Sequence, residues 1–466
     1  MSETTKIDIK KPRGTRDFMP KDMALRRNVE SIIRKTFSLF GFQEIQTPIF
    51  EQLSLFELRS GDKFREDIFR FVNPTKDDAE DQTVEFCLRP ELTAPTCRFF
   101  VTDDLGAGSK PIKVFYIGSC FRYDKPAPGR YREFYQAGIE LFGADSSRAD
   151  AEVIEIAAAT IQNLGIKKYR IQMSDMSILR TFLSGLGLNK EKQAKVIGII
   201  DNTGSDIAKF KLGSIEGSEE LFIQNFENDL SSYVDKKVIS LLKKLLFLKG
   251  TIEVVDKAKT LFKDYPETVE ALNISSLQTV YSILQANDYG EIVIDFSIAR
   301  GLDYYTGIVF EIDVDELGAQ KQVCGGGRYD KLVREYGGHE TPATGFGLGF
   351  DRLVQCVEMF NTEVVPSTSQ VTRSDVLVKM MVQDLETEVF LLKGLRSKGI
   401  RVEVDLIGRS MKKLFAFASK ENIPFVIVIG KKELASKEIT IKNMLLESQE
   451  TLALDIGQIA TYIQKS

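Results

Sequence analysis

The sequence predicts an α/β protein. Its body is α+β, an antiparallel sheet flanked by helices; a helical insertion interrupts it and a smaller mixed α/β domain follows. Three observations carry this. Residues 114–122 and 132–142 read as two antiparallel strands joined by a proline-rich loop. Residues 178–285 alternate Leu, Ile and Phe with Lys and Glu at helical spacing and hold no catalytic cluster. From Val376 onward strands and helices alternate, which predicts a largely parallel sheet. A chain of 466 residues exceeds one core. The boundaries follow as a body of 1–175 and 288–362, an insertion of 176–287, a linker of 363–373 and a C-terminal domain of 374–466.

Taken in order, a polar lead-in of about 20 residues precedes a helix over Lys21–Phe40. Its apolar residues Leu25, Val29, Ile32, Ile33, Phe37 and Phe40 fall at helical spacing, and Gly41 ends it. A strand is expected over Phe42–Ile49, with Pro48 at its edge. Residues 60–80 are charged and read as a loop. Thr83–Leu88 reads as a strand, and Pro90 is placed to open a helix with Glu91 in its first turn. Helix Ala149–Leu164 and strand Tyr169–Met173 precede the insertion. After it come two apolar runs, 292–298 and 308–314, enclosing Arg-Gly-Leu-Asp-Tyr-Tyr-Thr-Gly at 300–307. Such polarity between two strands has no packing use and suits a substrate site. Three consecutive glycines at 325–327 imply close approach of backbone to a ligand or a strand.

Gly345, Gly347 and Gly349 recur at period two, so one strand face is stripped of side chains, and a flat ring such as a nucleotide base would fit over it. Phe346, Leu348 and Phe350 pack the other face, and Arg352 falls in the first turn of a helix running to Phe360. The same alternation puts Tyr116, Gly118, Cys120 and Arg122 on one face, and Phe134, Gln136, Gly138 and Glu140 on one face of the next strand. Arg, Gln and Glu among glycines make a polar floor rather than a core.

Composition narrows the chemistry. One histidine, His339, lies beside Gly337 and Gly338 in an expected solvated loop, which removes His-based triads, metal sites and general bases. Five scattered cysteines without CxxC spacing argue against zinc or disulfides and for a reduced, cytoplasmic setting. No leader-like or membrane-spanning apolar run is present. The net charge of −5 is uneven: residues 373–466 hold 15 Lys+Arg against 12 Asp+Glu, or +3, leaving −8 on the rest. A basic tail domain on an acidic body permits RNA binding. Neither GxxxxGK[ST] nor a GxGxxG between strand and helix occurs, so arginines must handle any phosphate.

At this point the residues resemble the histidyl-tRNA synthetase family of class II aminoacyl-tRNA synthetases. Helix 21–40 with Pro48 looks like motif 1, Phe121-Arg122 through Gln136 with the loop PAPGRYREF like motif 2, and Gly345–Arg352 like motif 3. RGLDYYTG at 300–307 and GGGRYD at 325–330 are similar to the histidine-specific motifs. The C-terminal domain resembles the family's anticodon-binding domain.

The resemblance implies a class II antiparallel catalytic sheet, ATP with Mg²⁺, L-histidine and histidine tRNA as substrates, and a homodimer in the cytoplasm. It implies that Arg122 and Arg300 hold the α-phosphate from two sides. Arg352 would hold the γ-phosphate and cover the adenine, with Phe134 stacked beneath. Glu91, Thr93 and Gln136 would bind the substrate ammonium. Glu140, Tyr304, Tyr305 and Tyr329 would enclose the imidazole. Asp124 stands where the motif commonly has glutamate and is carried over as an ATP contact. No protein-only metal site is implied. Regulatory paralogues of the family lack the C-terminal domain and degrade the 300–307 motif; this chain keeps both.

Overall fold

The computed structural model describes residues 9–57, 67–72, 85–125, 129–211, 215–298, 304–366 and 372–465. These form two compact units, one of Leu25–Val365 with the residues up to Phe18, the other of the residues from Pro366 onward with Met19–Ala24.

The body is organised by a nine-stranded sheet. Numbering strands along the chain, β1 is Gln43–Glu44, β2 Phe50–Gln52, β3 Arg70–Val72, β4 Glu85–Leu88, β5 Ile112–Phe121 and β6 Glu133–Phe142. The rest are β7 Arg170–Asp175, β8 Lys249–Gly250, β9 Glu291–Asp295, β10 Ile308–Asp313, β11 Gln322–Arg328 and β12 Ala343–Gly349. The sheet order is β1-β5-β6-β12-β11-β10-β7-β9-β8, and a second small sheet runs β2-β4-β3. In the large sheet, among the described residues, β1/β5 and β7/β9 are the parallel pairs. The central six strands are antiparallel throughout.

Alternation explains the layering. Ala137, Ile139 and Leu141 of β6, and Phe346 and Leu348 of β12, are buried on the face that meets helices Pro20–Leu39 and Ser147–Asn163. The helices begin where local chemistry predicts. Ser146 caps the second through its side chain, which accepts from Ala149 N. Among the described residues the insertion folds as seven helices between Met176 and Ala286, and its buried residues join the same apolar cluster as the sheet. It also supplies β8 at the sheet's edge.

Several expectations need correction. The strand expected over 42–49 shrinks to β1, because Pro48 and the turn toward β2 end its pairing. The stretch 60–80 is not wholly loop: Arg70–Val72 pairs with β4, and most of the remainder lies outside the described residues. The helix expected at Pro90 starts at Thr93.

The C-terminal unit contains β13 Val376–Met380, β14 Val402–Val404, β15 Phe425–Ile429, β16 Glu438–Asn443 and β17 Ser448–Ala453. The order β14-β13-β15-β16-β17 is mixed rather than largely parallel, since β16 and β17 add antiparallel pairs. The exposed, polar sequence of β17 hid it from a periodicity reading. Phe425, Ile427 and Ile429 face helices Leu385–Ser397 and Ile456–Lys465, while Val426 meets helix Met411–Lys420. Burial on both faces accounts for the unbroken apolar run. Among the described residues no helix is long and apolar enough to cross a membrane.

Candidate active site

The floor of the site is the face of β5, β6, β12 and β11 turned away from the helices. Register puts Gly118, Gly138, Gly325, Gly327, Gly345, Gly347 and Gly349 on it together. The absence of side chains there is used by other residues. A Cβ at Gly345 would meet Glu140 Oε2 at 2.0 Å, and one at Gly347 would meet Gln136 Nε2 at 2.3 Å. At Gly118 it would meet Arg89 Nη2 at 2.5 Å, at Gly138 the Tyr116 hydroxyl at 2.6 Å, and at Gly327 the Tyr305 ring at 3.0 Å. The face over 345 and 347 is therefore covered by the chain's own polar side chains, not bare for a ring. Open space begins toward Gly349, whose nearest side chain is Arg352 at 3.5 Å.

Glu140 is wholly buried and is the centre of one half of the site. Its Oε1 accepts a hydrogen bond from Tyr116 at 2.9 Å, and its Oε2 accepts one from Tyr329. Burial pushes the carboxyl up to about 7, against the opposing effect of these hydroxyls. The phenols of Tyr116 and Tyr329 are raised by burial and by the neighbouring Glu140. Tyr304 lies edge-on to Tyr329 at 5.9 Å and against Tyr305 at 4.5 Å, so the three tyrosines form one wall. Thr93 Oγ1 reaches the Tyr116 hydroxyl at 3.4 Å. Gln136 Oε1 accepts from the Cys120 thiol at 3.6 Å. Glu91 precedes its helix and caps it: its carboxylate accepts from Thr93 N at 2.6 Å and Ala94 N at 2.9 Å.

The other half is a cavity of about 350 Å³ beside Gly325, Gly347 and Gly349, walled by Arg122, Asp124, Arg130, Phe134 and Arg352. The Arg122 guanidinium stands 5.2 Å from the Phe134 ring and donates through Nε to Pro90 O. Arg352 donates to Gln322 O and to Gln320 Oε1. Burial depresses its guanidinium, and Arg122 and Arg130 add to the effect. Three cationic heads around one cavity favour a polyanion. Asp124 is buried and takes Arg130 Nε at 2.7 Å. Among the described residues no three His, Cys, Asp or Glu side chains are grouped to hold a metal ion.

The structure thus gathers Glu91, Thr93, Glu140, Tyr304, Tyr305 and Tyr329 into one half and Arg122, Asp124, Phe134, Gln136 and Arg352 into the other. Arg300 and Asp303 lie outside the described residues. His339 is exposed, in a loop. Sequence reading missed three contributors. Tyr116 was placed on the floor by alternation without a task. Arg89 lies across Gly118 and is held by the carbonyls of Thr47, Pro48 and Ser119. Arg328 of the GGGRYD segment is structural: it pairs with buried Asp150 at 2.9 Å and with Asp330.

An antiparallel sheet carrying a carboxylate-centred pocket beside an arginine-walled cavity, with a separate α/β unit behind it in sequence, defines an aminoacyl-tRNA ligase. The chain belongs to the histidyl-tRNA synthetase family, whose pattern matches residues 14–353, and an anticodon binding domain pattern matches 376–466. It is 38% identical to a histidine–tRNA ligase of Methanosarcina acetivorans over 449 residues, 96% of this chain and 97% of the relative. With that of Methanocaldococcus jannaschii the identity is 35% over 452 residues, 96% and 98% of the two chains. The apo histidyl-tRNA synthetase of S. aureus has a similar structure, with a TM-score of 0.63 and 25% identity over 98% of this chain and 99% of that one. The histidyl-tRNA synthetase of Nostoc sp. PCC 7120 shares the fold, with a TM-score of 0.73 and 24% identity over 99% and 100%.

Proposed function

We propose that this chain activates L-histidine with ATP to histidyl-adenylate and pyrophosphate, then transfers the histidyl group to the 3′ end of histidine tRNA. The observation that carries this reading is Glu140, buried between two phenols beside a cavity walled by arginines. A carboxylate held there accepts an imidazole N–H, and Tyr305 and Tyr304 supply the second polar edge. A pocket built from buried polar groups rejects an apolar isostere by roughly 10⁴–10⁵, because those groups would be left unpaired.

In this reading the substrate carboxylate attacks the α-phosphorus in line and pyrophosphate leaves. The nucleophile comes with the substrate, so no enzyme base is required. The protein's part is positioning and charge stabilisation. Arg122 and, outside the described residues, Arg300 flank the α-phosphate; Arg352 holds the γ-phosphate and Phe134 takes the adenine, with Asp124 as a further ATP contact. Glu91, Thr93 and Gln136 receive the ammonium. Mg²⁺ arrives with ATP as part of that substrate. The 374–466 domain recognises the tRNA, and the enzyme acts as a homodimer in the cytoplasm, where buried, reduced cysteines are stable.

The test is ATP–pyrophosphate exchange with each of the twenty amino acids. Histidine alone should support it. Exchange with another amino acid and not with histidine would overturn the specificity assigned to Glu140.

A further inference from the structure

Asp351 sits next to Arg352 on the wall of the same cavity. β12 ends at Gly349, which pairs with Gln136. The next amide outward along β6, Tyr135 N, donates to Asp351 Oδ2 at 2.8 Å, so the carboxylate continues the ladder past the strand's end. Its other oxygen accepts two guanidiniums, Arg26 Nη1 at 2.6 Å and Arg16 Nη2 at 2.8 Å. Arg26 is buried and is sandwiched by Phe18, Tyr135 and Phe350, with ring centres 4.2–4.9 Å away. Arg16 lies 3.5 Å over Tyr131, a residue of the cavity wall. The lead-in is tied to the same wall by Arg132 N donating to Gly14 O at 2.8 Å.

One carboxylate therefore joins the lead-in, the first helix, β6 and the helix that carries Arg352. With two cations against one anion, this joint leaves the cavity's rim positively charged. Charge-assisted hydrogen bonds of this kind are the strong ones, and they fix direction as well as distance.

We propose that Asp351 is a positioning residue for ATP: with Arg16 and Arg26 it sets Arg352 and the Tyr131–Tyr135 wall in the geometry that receives the nucleotide. The proposal rests on the activity proposed above and adds Arg16 and Arg26, which stand behind the cavity wall and reach it through Asp351. The experiment measures histidine-dependent pyrophosphate exchange for the full chain, D351N, R16M and the double variant. D351N removes the charge but keeps an acceptor; R16M removes one guanidinium from a side chain still 24% exposed. In each single variant KM for ATP should rise about tenfold, the scale of one charged hydrogen bond, with KM for histidine within about twofold. The double variant should lose less than the product of the two. An unchanged KM for ATP, or equal rises for both substrates, overturns the positioning role. If D351N does not fold, R16M decides by the same two readings. Wild-type chain that shows no exchange with histidine overturns the activity itself, a result distinct from either.

Discussion

Glu140 occupies the space that a side chain at position 345 would need: its Oε2 lies 2.0 Å from where a Cβ on Gly345 would stand. The two residues face each other across paired strands. A Cβ there would also meet Ile139 O at 2.4 Å, so in Gly345→Ala both the carboxylate and the β6 backbone must give way. We expect kcat/KM for histidine to fall by roughly 10²-fold, the scale for losing a preorganised polar contact, with KM for ATP little changed. Steady-state exchange kinetics check this, and equal damage to both substrates would show a collapsed sheet instead.

The pH dependence of stability follows from the same carboxyl. Burial raises Glu140 from 4.5 to about 7. Between those values the folded chain holds a proton that the unfolded chain has released, so this group's contribution to stability is fully present below pH 4.5 and is lost as pH rises through about 7. The loss amounts to about 3 kcal/mol. Glu140→Gln removes the titration. Urea denaturation at pH 5 and pH 8 should therefore show the wild type losing about that much more than the variant. Parallel losses in the two proteins would contradict the assignment.

The arginines should separate by step. Arg122→Ala and Arg300→Ala each remove charge stabilisation at the α-phosphate, and kcat for histidine activation should drop on the order of 10²–10³. Circular dichroism should show an unchanged fold. Retention of full single-turnover activation by Arg122→Ala would remove it from the catalytic set.

Arg328 and Asp150 test the structural half of the GGGRYD segment. Both side chains are under 10% exposed. Asp150→Ala takes the buried carboxylate from a buried guanidinium, leaving it the less buried Asp330 and Asp145, and should cost about 3 kcal/mol. The Arg334–Glu340 pair offers the contrast: its side chains are 69% and 67% exposed, and Arg334→Ala should cost under about 1 kcal/mol. Chemical denaturation of the two variants ranks them, and similar costs would refute the reading.

Deleting residues 374–466 should leave histidine-dependent exchange intact and sharply reduce charging of histidine tRNA. The unit boundary at Val365/Pro366 places the whole deletion on the far side of the split. Undiminished charging would show that the domain does not recognise the tRNA.

Much of the floor was legible because strands repeat every two residues. Once 114–122 and 132–142 are read as strands, Gln136 and Glu140 must share a face with Gly138, and the structure places them so. What could not be read was pairing between strands distant in sequence. Gly345 was recognised as bare, but only the β6/β12 register reveals that Glu140 fills its space. The same limit hid Asp351: its partners Arg16 and Arg26 lie more than 300 residues away. Glu91 was expected inside a helix because Pro90 suits a first turn. The chain instead delays the helix to Thr93 and uses the Glu91 carboxylate to satisfy the first free amides.

The glycine floor also acts as a ruler. Strands lie about 4.8 Å apart and same-face positions along a strand roughly 6.8 Å apart. Seven bare positions on that lattice divide the site into openings about as wide as a planar ring. Glu140, Gln136, Tyr305, Arg89 and Tyr116 each fill one. The size of what fits is thus measured out by backbone spacing, which no side-chain exchange can stretch. Only the choice of which openings the chain plugs remains for sequence to decide.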